Sequence, residues 1–352
     1  MLCMKKVWPR LVVFYEKSMF PPGIVRSNER VFTLQFRKEK RGDGMKRKQK
    51  NASRAWIRRD WDLYLMLVLP MIYIIVFKYV PMYGVQIAFR NYNVFKGMSA
   101  SPFVGLKYFK QFFGSSELPK LLGNTLRISI YGLFAGMVFP IILAIILNYL
   151  RNLRYKKVVQ TVTYAPYFIS TTVMVSMILQ FMAWDSGPVN RLLVMLGGHQ
   201  IDFLGDPKKF AHLYVWSGIW QYTGYNAIIY IATLASVDPT LHEAAVVDGA
   251  TKFWRVWHID LPSIKSTIII LMIMSLGGTL STGFEKIYLM QNNMNIRASE
   301  VIDTYVYKIG IASPIANYSY PTAIGLFQSL VGMLMIVMAN IISKKVGEES
   351  LW

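Results

Sequence analysis

Residues 132–147 read "GLFAGMVFPIILAIIL", sixteen consecutive residues without a charged side chain. A helix needs about 20 mostly apolar residues to cross about 30 Å of hydrocarbon, and the predicted span around this stretch, residues 125–149, has that length. A second run of the same kind, "AIGLFQSLVGMLMIVMANII" at 323–342, lies near the end of the chain. Both runs are typical of helices that cross a membrane.

The composition of the whole chain agrees with these two runs. Of 352 residues, 54% are hydrophobic and 16% are charged, which is too apolar for a soluble domain of ordinary composition. We therefore predict an all-α polytopic membrane protein with six transmembrane helices. The predicted spans are residues 61–82, 125–149, 158–183, 212–237, 266–290 and 320–343.

The positive charge of the chain is concentrated at its start. The formal net charge is +20, and residues 1–60 hold 17 Lys or Arg against five Asp or Glu, an excess of 12. We interpret residues 1–55 as a basic cytoplasmic extension that touches acidic lipid headgroups and does not bind nucleic acid. Two alternatives stay open for residues 1–44: a disordered tail, or an extension upstream of a second start at Met45. Residues 56–352 are then one six-helix domain.

Lys and Arg residues in the short flanks of the spans predict the orientation. The segment "RNLRYKK" at 151–157, the residues Lys252, Arg255 and Lys265, and the two lysines after the last span all fall on the side of the basic start. Because cytoplasmic loops carry the excess of basic residues, both termini are predicted to be cytoplasmic. Five basic residues in the first external loop oppose this rule but are outnumbered.

The segment between the fourth and fifth predicted spans is too polar for a bilayer. Residues 242–264 read "HEAAVVDGATKFWRVWHIDLPSI". A short helix is predicted to begin at Pro239 and to end at Gly249, because proline is favoured in a first turn and glycine permits the left-handed backbone of a helix end. A second short helix, "TKFWRVWHI" at 251–259, is predicted to stop at the following Leu-Pro pair.

Two helices joined by a tight corner would present a rigid surface, residues 238–264, to another protein. Small alanine side chains allow close approach, aromatic side chains supply contact area, and a carboxylate pairs with a cation of the partner. The alternative is a helix that lies on lipid headgroups. It is disfavoured because Glu243, Asp248 and Asp260 would then face an anionic surface.

The loop resembles the coupling motif of the membrane subunits of ATP-binding cassette (ABC) importers, an EAA sequence followed by G and later by I-x-L-P. The matching residues are Glu243, Ala244, Ala245, Asp248, Gly249, Ala250, Ile259, Leu261 and Pro262. The stretches "RRDWDLYLMLVLPMIYIIVFKYVPMYGVQIAFRNYNVFKG" at 58–97 and "IDTYVYKIGI" at 302–311 resemble maltose-transporter-like permeases of the oligosaccharide branch, of the aldouronate or polysaccharide type. The resemblance covers residues 56–352.

The resemblance implies a type I ABC importer permease fold and a set of partners. The chain would be half of a translocation pore in a bacterial or archaeal plasma membrane, beside a second homologous permease subunit. The loop at 238–264 would dock on an ATPase dimer, with Glu243 meeting a basic residue there. An extracytoplasmic solute-binding protein would deliver the oligosaccharide.

The sequence lacks the residues for ATP hydrolysis. A phosphate-binding G-x-x-x-x-G-K-[ST] loop is absent, and no Gly-Lys dipeptide occurs. ATP and Mg²⁺ are therefore expected on the partner subunit, and the chain is predicted to be a transport subunit and not an enzyme. One cysteine and four scattered histidines predict no metal site and no cofactor of its own.

Polar side chains inside predicted spans indicate where a substrate passes. In the fifth span they recur at steps of three and four residues, which predicts one helical face made of Ser275, Gly278, Thr279, Thr282 and Glu285. In the fourth span the candidates are Trp216, Trp220, Gln221, Tyr222, Tyr225 and Asn226. Aromatic faces with hydroxyl and amide groups fit a sugar path. The alternative is that these residues pack helices against one another.

Two other classes of membrane protein fit less well. An ion-coupled secondary transporter needs carboxylates near the middle of its spans and no docking loop, whereas this sequence has the loop and lacks the carboxylates. A lipid-linked glycosyltransferase needs an acidic or histidine-containing site, and none is visible. The basic first external loop favours an acidic sugar with uronate units; alternatively, its lysines contact the binding protein or lipid.

Overall fold

The computed structural model describes residues 61–314, 317–345 and 350–351. The basic extension predicted for residues 1–55 lies outside the described residues. Within them the chain is helical, and β-type pairing is limited to an isolated antiparallel bridge between Arg90 and Phe103. The all-α prediction is therefore confirmed.

The chain divides into two compact units, Met1–Tyr79 and Val80–Trp352. The described part of the first unit is the helix α1, Trp61–Ile74, which continues as a π-helical turn over Ile75–Tyr79. None of the side chains of α1 is buried. Because nearly all of them are apolar, this helix is suited to contact with lipid or with another chain.

The second unit contains fifteen further α-helices among its described residues. They are α2 (Val80–Met82), α3 (Gly97–Ala100), α4 (Lys107–Phe113), α5 (Glu117–Tyr149), α6 (Leu153–Tyr164), α7 (Thr171–Phe181), α8 (Pro188–Met195), α9 (Pro207–Ala235), α10 (Pro239–Val247), α11 (Lys252–Arg255), α12 (Leu261–Gly277), α13 (Phe284–Met290), α14 (Ile296–Ser299), α15 (Ile302–Tyr307) and α16 (Ser319–Lys345). Short 3-10 or π-helical turns extend four of these helices, at Tyr83–Phe89, Ala165–Phe168, Val256–Asp260 and Lys308–Ala312.

Four continuous helical stretches of the described chain are long and apolar enough to cross a membrane: Trp61–Phe89, Glu117–Tyr149, Lys252–Gly277 and Ser319–Lys345. A fifth is obtained if the helices at 153–168 and 171–181, which meet at an angle of 99°, form one span. The helix α9 has 29 residues and is long enough, but its lysine, histidine, glutamine and asparagine residues make it less apolar. The predicted number of six spans is not confirmed.

The third predicted span, residues 158–183, is wrong as a single helix. The chain bends by 99° between α6 with its 3-10 turn and α7. Pro166 lies in that turn, Ile169 is extended, and the Ser170 hydroxyl accepts a hydrogen bond from the N–H of Val173 at 3.4 Å. This serine starts α7 in a new direction, because a serine at this position satisfies a free N–H of the first helical turn.

The fifth predicted span, residues 266–290, is wrong at both ends. Its helix begins at Lys252 and continues through a π-helical turn into α12, which ends at Gly277. Pro262 does not stop it, because Pro262 lies in the first turn of α12 directly after the wider π-helical turn. Residues 278–283 then leave the helix, and Gly283 has a φ of 36° before α13 begins. The predicted polar face from residue 275 to 285 is therefore not a helical face.

Apolar clusters join the long helices of the second unit. One includes Ile128 of α5, Met174 of α7 and residues of α9 and α13. Another joins α5, α9 and α12 through Ala144, Tyr230 and Ile264. The parts of α5 and α9 that lie between these two clusters carry the cavities described below.

Candidate coupling surface and translocation cavity

Local hydrogen bonds fix both ends of α10. The Asp238 carboxylate accepts from the N–H of Thr240 at 2.9 Å, which caps the helix and lowers the pKa of Asp238. At the other end, the N–H of Ala250 donates to the carbonyl of Ala245 at 2.8 Å, while Gly249 has a φ of 79°. This closure requires a left-handed residue, for which glycine is the favoured choice. The predicted helix start and glycine corner are confirmed.

A groove of about 620 Å³, here called the coupling groove, lies between α10 and α11. Its lining is mostly small or apolar and consists of Leu241, Ala244, Ala245, Asp248, Gly249, Ala250, Thr251, Trp254 and Ile259. Six of the nine residues assigned to coupling from the sequence are in this lining. Glu243 is exposed on α10, and Leu261 and Pro262 lie outside the lining.

A buried carboxylate joins the loop to two long helices. Asp260 is fully buried, and its Oδ2 atom accepts from the Tyr149 hydroxyl at 2.7 Å. Its Oδ1 atom lies 3.5 Å from Nε2 of His242, the residue before Glu243. Because Asp260 is buried, only Glu243 and Asp248 still argue against a helix that lies on lipid headgroups. These groups lie on three separate elements, α5, α10 and the π-helical turn before α12. Their contact therefore cannot be predicted from the spacing of residues in the sequence.

Three adjoining cavities, together called the central cavity, lie along α5 and α9. Their volumes are about 470, 250 and 210 Å³, and Gly132 lines all three. The break at residues 278–283 forms one wall. Gly283 makes this possible, because a Cβ atom there would lie only 2.6 Å from the hydroxyl of Tyr214. The broken helix therefore brings backbone and short polar side chains against α9.

Seven of the eleven predicted path residues line the central cavity. Tyr222, Asn226 and Glu285 line its largest part, and the smaller parts add Ser275, Gly278, Thr279 and Thr282. These residues lie on one side of the broken segment, where a continuous helix would also have placed them. The other four lie outside this lining and are Trp216, Trp220, Gln221 and Tyr225.

Three of those four residues have contacts elsewhere. Tyr225 stacks on Tyr167 with 3.7 Å between ring centroids, and Trp216 packs edge-on against Phe139. Gln221 is buried, and its Nε2 donates to the carbonyl of Ile169 at 2.9 Å, next to the bend before α7. For Gln221 this contact supports the packing alternative.

Several hydroxyl groups of the central cavity are buried without a hydrogen-bond partner among the described residues. They are Oγ of Ser129 and Oγ1 of Thr223, Thr279 and Thr282. Leaving such a group unpaired costs about 1–3 kcal/mol, so the cavity is suited to a ligand or to water that carries hydrogen-bonding groups. Sequence analysis missed Ser129 and Thr223, because single Ser and Thr residues are common in apolar helices.

Two charged residues at the start of α13 have separate environments. Glu285 is exposed, and its Oε1 accepts from the Thr172 hydroxyl at 3.3 Å. Lys286 is 7% exposed, and its Nζ donates to the carbonyl of Tyr214 at 3.1 Å. No ion pair joins Lys286 to Glu285 in this part of the structure.

Comparison with known proteins places these features in context. The family described as "Binding-protein-dependent transport system inner membrane component" matches residues 136–348. Protein LplB of Bacillus subtilis (strain 168) is 44% identical over 298 residues, which are 85% of this chain and 93% of that protein. The polygalacturonan/rhamnogalacturonan transport system permease protein YteP of the same organism is 42% identical over 290 residues, 82% of this chain and 90% of its own length.

A solved structure shares the fold. It is the crystal structure of a bacterial alginate ABC transporter in complex with an alginate pentasaccharide-bound periplasmic protein. A chain of that complex superposes with a TM-score of 0.76 at 34% sequence identity, covering 84% of this chain and 98% of the other. The similarity thus extends over most of both chains.

Proposed function

The chain belongs to the family of binding-protein-dependent transport system inner membrane components, and from this premise we propose that it imports an oligosaccharide as one of two permease subunits of an ABC importer. Membership makes it a transport subunit of a bacterial membrane. The observation that carries the choice of substrate is the central cavity, whose unpaired hydroxyls match the many hydroxyl groups of a sugar. The names of YteP and of the alginate transporter agree with this choice.

The proposed partners follow the two sites. An ATPase dimer, which holds ATP and Mg²⁺, docks at the coupling groove, and the exposed Glu243 pairs with a basic residue of that dimer. A second homologous permease completes the pore, and an extracytoplasmic solute-binding protein supplies the sugar. Closure of the ATPase then rocks the helices between inward- and outward-facing states. In this arrangement both termini are cytoplasmic and six spans cross the membrane.

The substitution Thr279→Val tests the assignment of the central cavity. Valine keeps the shape of threonine and removes a hydroxyl that has no partner in the described protein. One lost hydrogen bond to substrate is about 1 kcal/mol, so the KM for uptake should rise about fivefold while Tm stays the same or rises. Thr161→Val is the control, since the hydroxyl of Thr161 already bonds to the carbonyl of Lys157 at 3.0 Å and lies outside the cavity lining.

The measurement uses the complete importer in proteoliposomes with a labelled oligosaccharide. If Thr279→Val lowers both the uptake and the Tm, the hydroxyl of Thr279 acts in helix packing. Accumulation of solute by this chain in liposomes without any ATPase would favour the ion-coupled alternative and overturn the proposal.

A further inference from the structure

Lys286 is a buried cation without a counter-ion. Its side chain is 7% exposed, and Nζ lies 3.1 Å from the carbonyl oxygen of Tyr214 and 4.8 Å from the centre of the Tyr214 ring. No carboxylate lies within 4 Å of Nζ in the described parts of the chain. An ammonium group has three N–H donors, and the carbonyl accepts one of them. Burial of an ammonium group with one acceptor is unfavourable unless a counter-ion or further acceptors bind to it.

The ammonium group of Lys286 lies at the wall of the central cavity. Lys286 lines the largest part, about 470 Å³, which falls in the range of about 300–1,000 Å³ typical of ligand sites. A Cβ atom on Gly218 would lie 3.6 Å from Nζ, so the ammonium is next to a glycine of the same wall. Gly132 and Gly136 on α5 also line this part of the cavity. The absence of side chains at these glycines leaves space beside the cation.

Glu285 and Asp303, the acidic residues of α13 and α15, bond to other groups. Glu285 lines the same cavity but is exposed and accepts a hydrogen bond from Thr172. Asp303 accepts from the backbone N–H of Thr282 at 3.0 Å and from Nε2 of Gln328 at 2.8 Å. Neither carboxylate pairs with Lys286, so its ammonium has no directly bonded counter-ion among the described residues, while the carboxylate of Glu285 lines the same cavity.

We propose that Lys286 binds a carboxylate of the transported oligosaccharide, so that the central cavity selects sugars with uronate units over neutral sugars. The proposal rests on the proposed function, since it concerns the same cavity and its substrate. A uronate unit offers hydroxyls for the unpaired groups of Thr279 and Thr282 and a carboxylate for the ammonium. A neutral sugar would leave the buried charge without a counter-ion. Discrimination of this kind is strong because it depends on a buried charge.

Uptake of trigalacturonate and of its carboxyl-reduced, neutral counterpart by the complete importer tests the proposal. The variants are Lys286→Met, which keeps the apolar stem, and Lys286→Arg, which keeps the charge. The control is Lys209→Met, because Lys209 pairs with Asp206 at 2.8 Å at the start of α9. The same solute-binding protein is used throughout, so its own selectivity is constant.

Lys286→Met should raise the KM for trigalacturonate at least tenfold and leave uptake of the neutral sugar within about twofold, whereas Lys286→Arg and Lys209→Met should keep the preference for the acidic sugar. Loss of both sugars by the same factor in Lys286→Met would overturn the proposal and make Lys286 a tether between α13 and α9. A wild-type importer that takes up the neutral sugar equally well would also overturn it. Failure of the wild type to take up any saccharide would instead refute the proposed function itself.

Discussion

Replacing Gly249 by alanine is expected to weaken coupling through the backbone alone. Gly249 has a φ of 79°, and a Cβ atom placed there would meet no atom of the described residues within 4 Å. A side chain therefore causes no clash within the described chain. The left-handed conformation costs an L-residue roughly 1–2 kcal/mol. This cost falls on the corner that closes α10 and shapes the coupling groove.

This strain energy predicts how strongly each substitution of Gly249 weakens association with the ATPase subunit. Since 1.4 kcal/mol is a factor of ten in an equilibrium, Gly249→Ala should weaken association with the ATPase subunit about 5- to 30-fold. Asparagine is larger than alanine but adopts the left-handed region more readily. Gly249→Asn should therefore bind within about threefold of the wild type. The assay is a titration of the ATPase subunit on the permease pair in lipid nanodiscs.

Gly197 offers a matched control for this experiment. It has a φ of 82° and open space around a built Cβ atom, but it follows α8, in a loop predicted to be external. Gly197→Ala should carry the same strain and leave association unchanged. If Gly249→Asn binds more weakly than Gly249→Ala, side-chain size governs and the strain argument is refuted. Equal, wild-type binding by both variants would show that the corner has no part in docking.

Two further substitutions test contacts that position the sites. In Gly224→Ala the added Cβ atom would overlap the carbonyl oxygen of Thr163, where α9 crosses α6. Overpacking of this kind costs about 1–3 kcal/mol. The Tm of the purified importer should therefore fall. Tyr149→Phe removes a hydrogen bond to the buried Asp260, worth about 1.5–3 kcal/mol for a charged acceptor, so Tm should fall and more ATP should be hydrolysed per sugar imported.

Matched controls separate these effects from general perturbation. Gly136→Ala adds a Cβ atom with nothing within 4 Å, and Tyr155→Phe alters an exposed tyrosine on α6. Tyr155→Phe should leave Tm within about one degree, since surface changes are usually within about 0.5 kcal/mol. Gly136→Ala should keep or raise Tm, since glycine inside a helix is less stable than alanine by about 0.5–1 kcal/mol. A Gly224→Ala importer as stable as Gly136→Ala would contradict the close crossing. An unchanged ratio of ATP to sugar in Tyr149→Phe would show that the bond from Tyr149 to Asp260 has no part in coupling.

The features that the sequence predicts well are local. Asp238, Pro239 and Gly249 act on the helix that contains or adjoins them, and their preferred positions are properties of a single helix end. For this reason the start of α10 and its glycine corner appear in the structure as predicted. The apolar runs around residues 132 and 330 are equally local, and both are helices long enough to cross a membrane.

The break at residues 278–283 shows where periodicity misleads. Ser275, Thr279 and Thr282 are three or four residues apart, which is the spacing of a helical face. The same segment reads "GGTLSTG" at 277–283, and this run of glycine and small polar residues was the available signal for the end of a helix. The pattern of polar residues identified residues that line the central cavity, and the glycines mark where the helix ends.

Contacts between distant segments were beyond prediction from the sequence. Asp260 meets Tyr149 across 111 positions, and Lys286 meets Tyr214 across 72. Each of these residues reads in isolation as an ordinary charged or aromatic residue at the end of a span. Their burial depends on how α5, α9 and α12 pack against one another. The spacing of residues in a single sequence does not reveal this packing.

One continuous helix connects the two sites. Residues Lys252–Gly277 form 26 residues of helix, which is about 39 Å at 1.5 Å per residue. Trp254 and Ile259 near its start line the coupling groove, and Ser275 near its end lines the central cavity. Because a helix is stiff along its axis, docking of the proposed ATPase at the groove would act on the cavity wall through this helix. The π-helical turn at Val256–Asp260 interrupts the α-helical hydrogen-bond pattern of this path, and the Tyr149 hydroxyl donates to Asp260 within that turn. The break after Gly277 separates this helix from α13 and its Lys286.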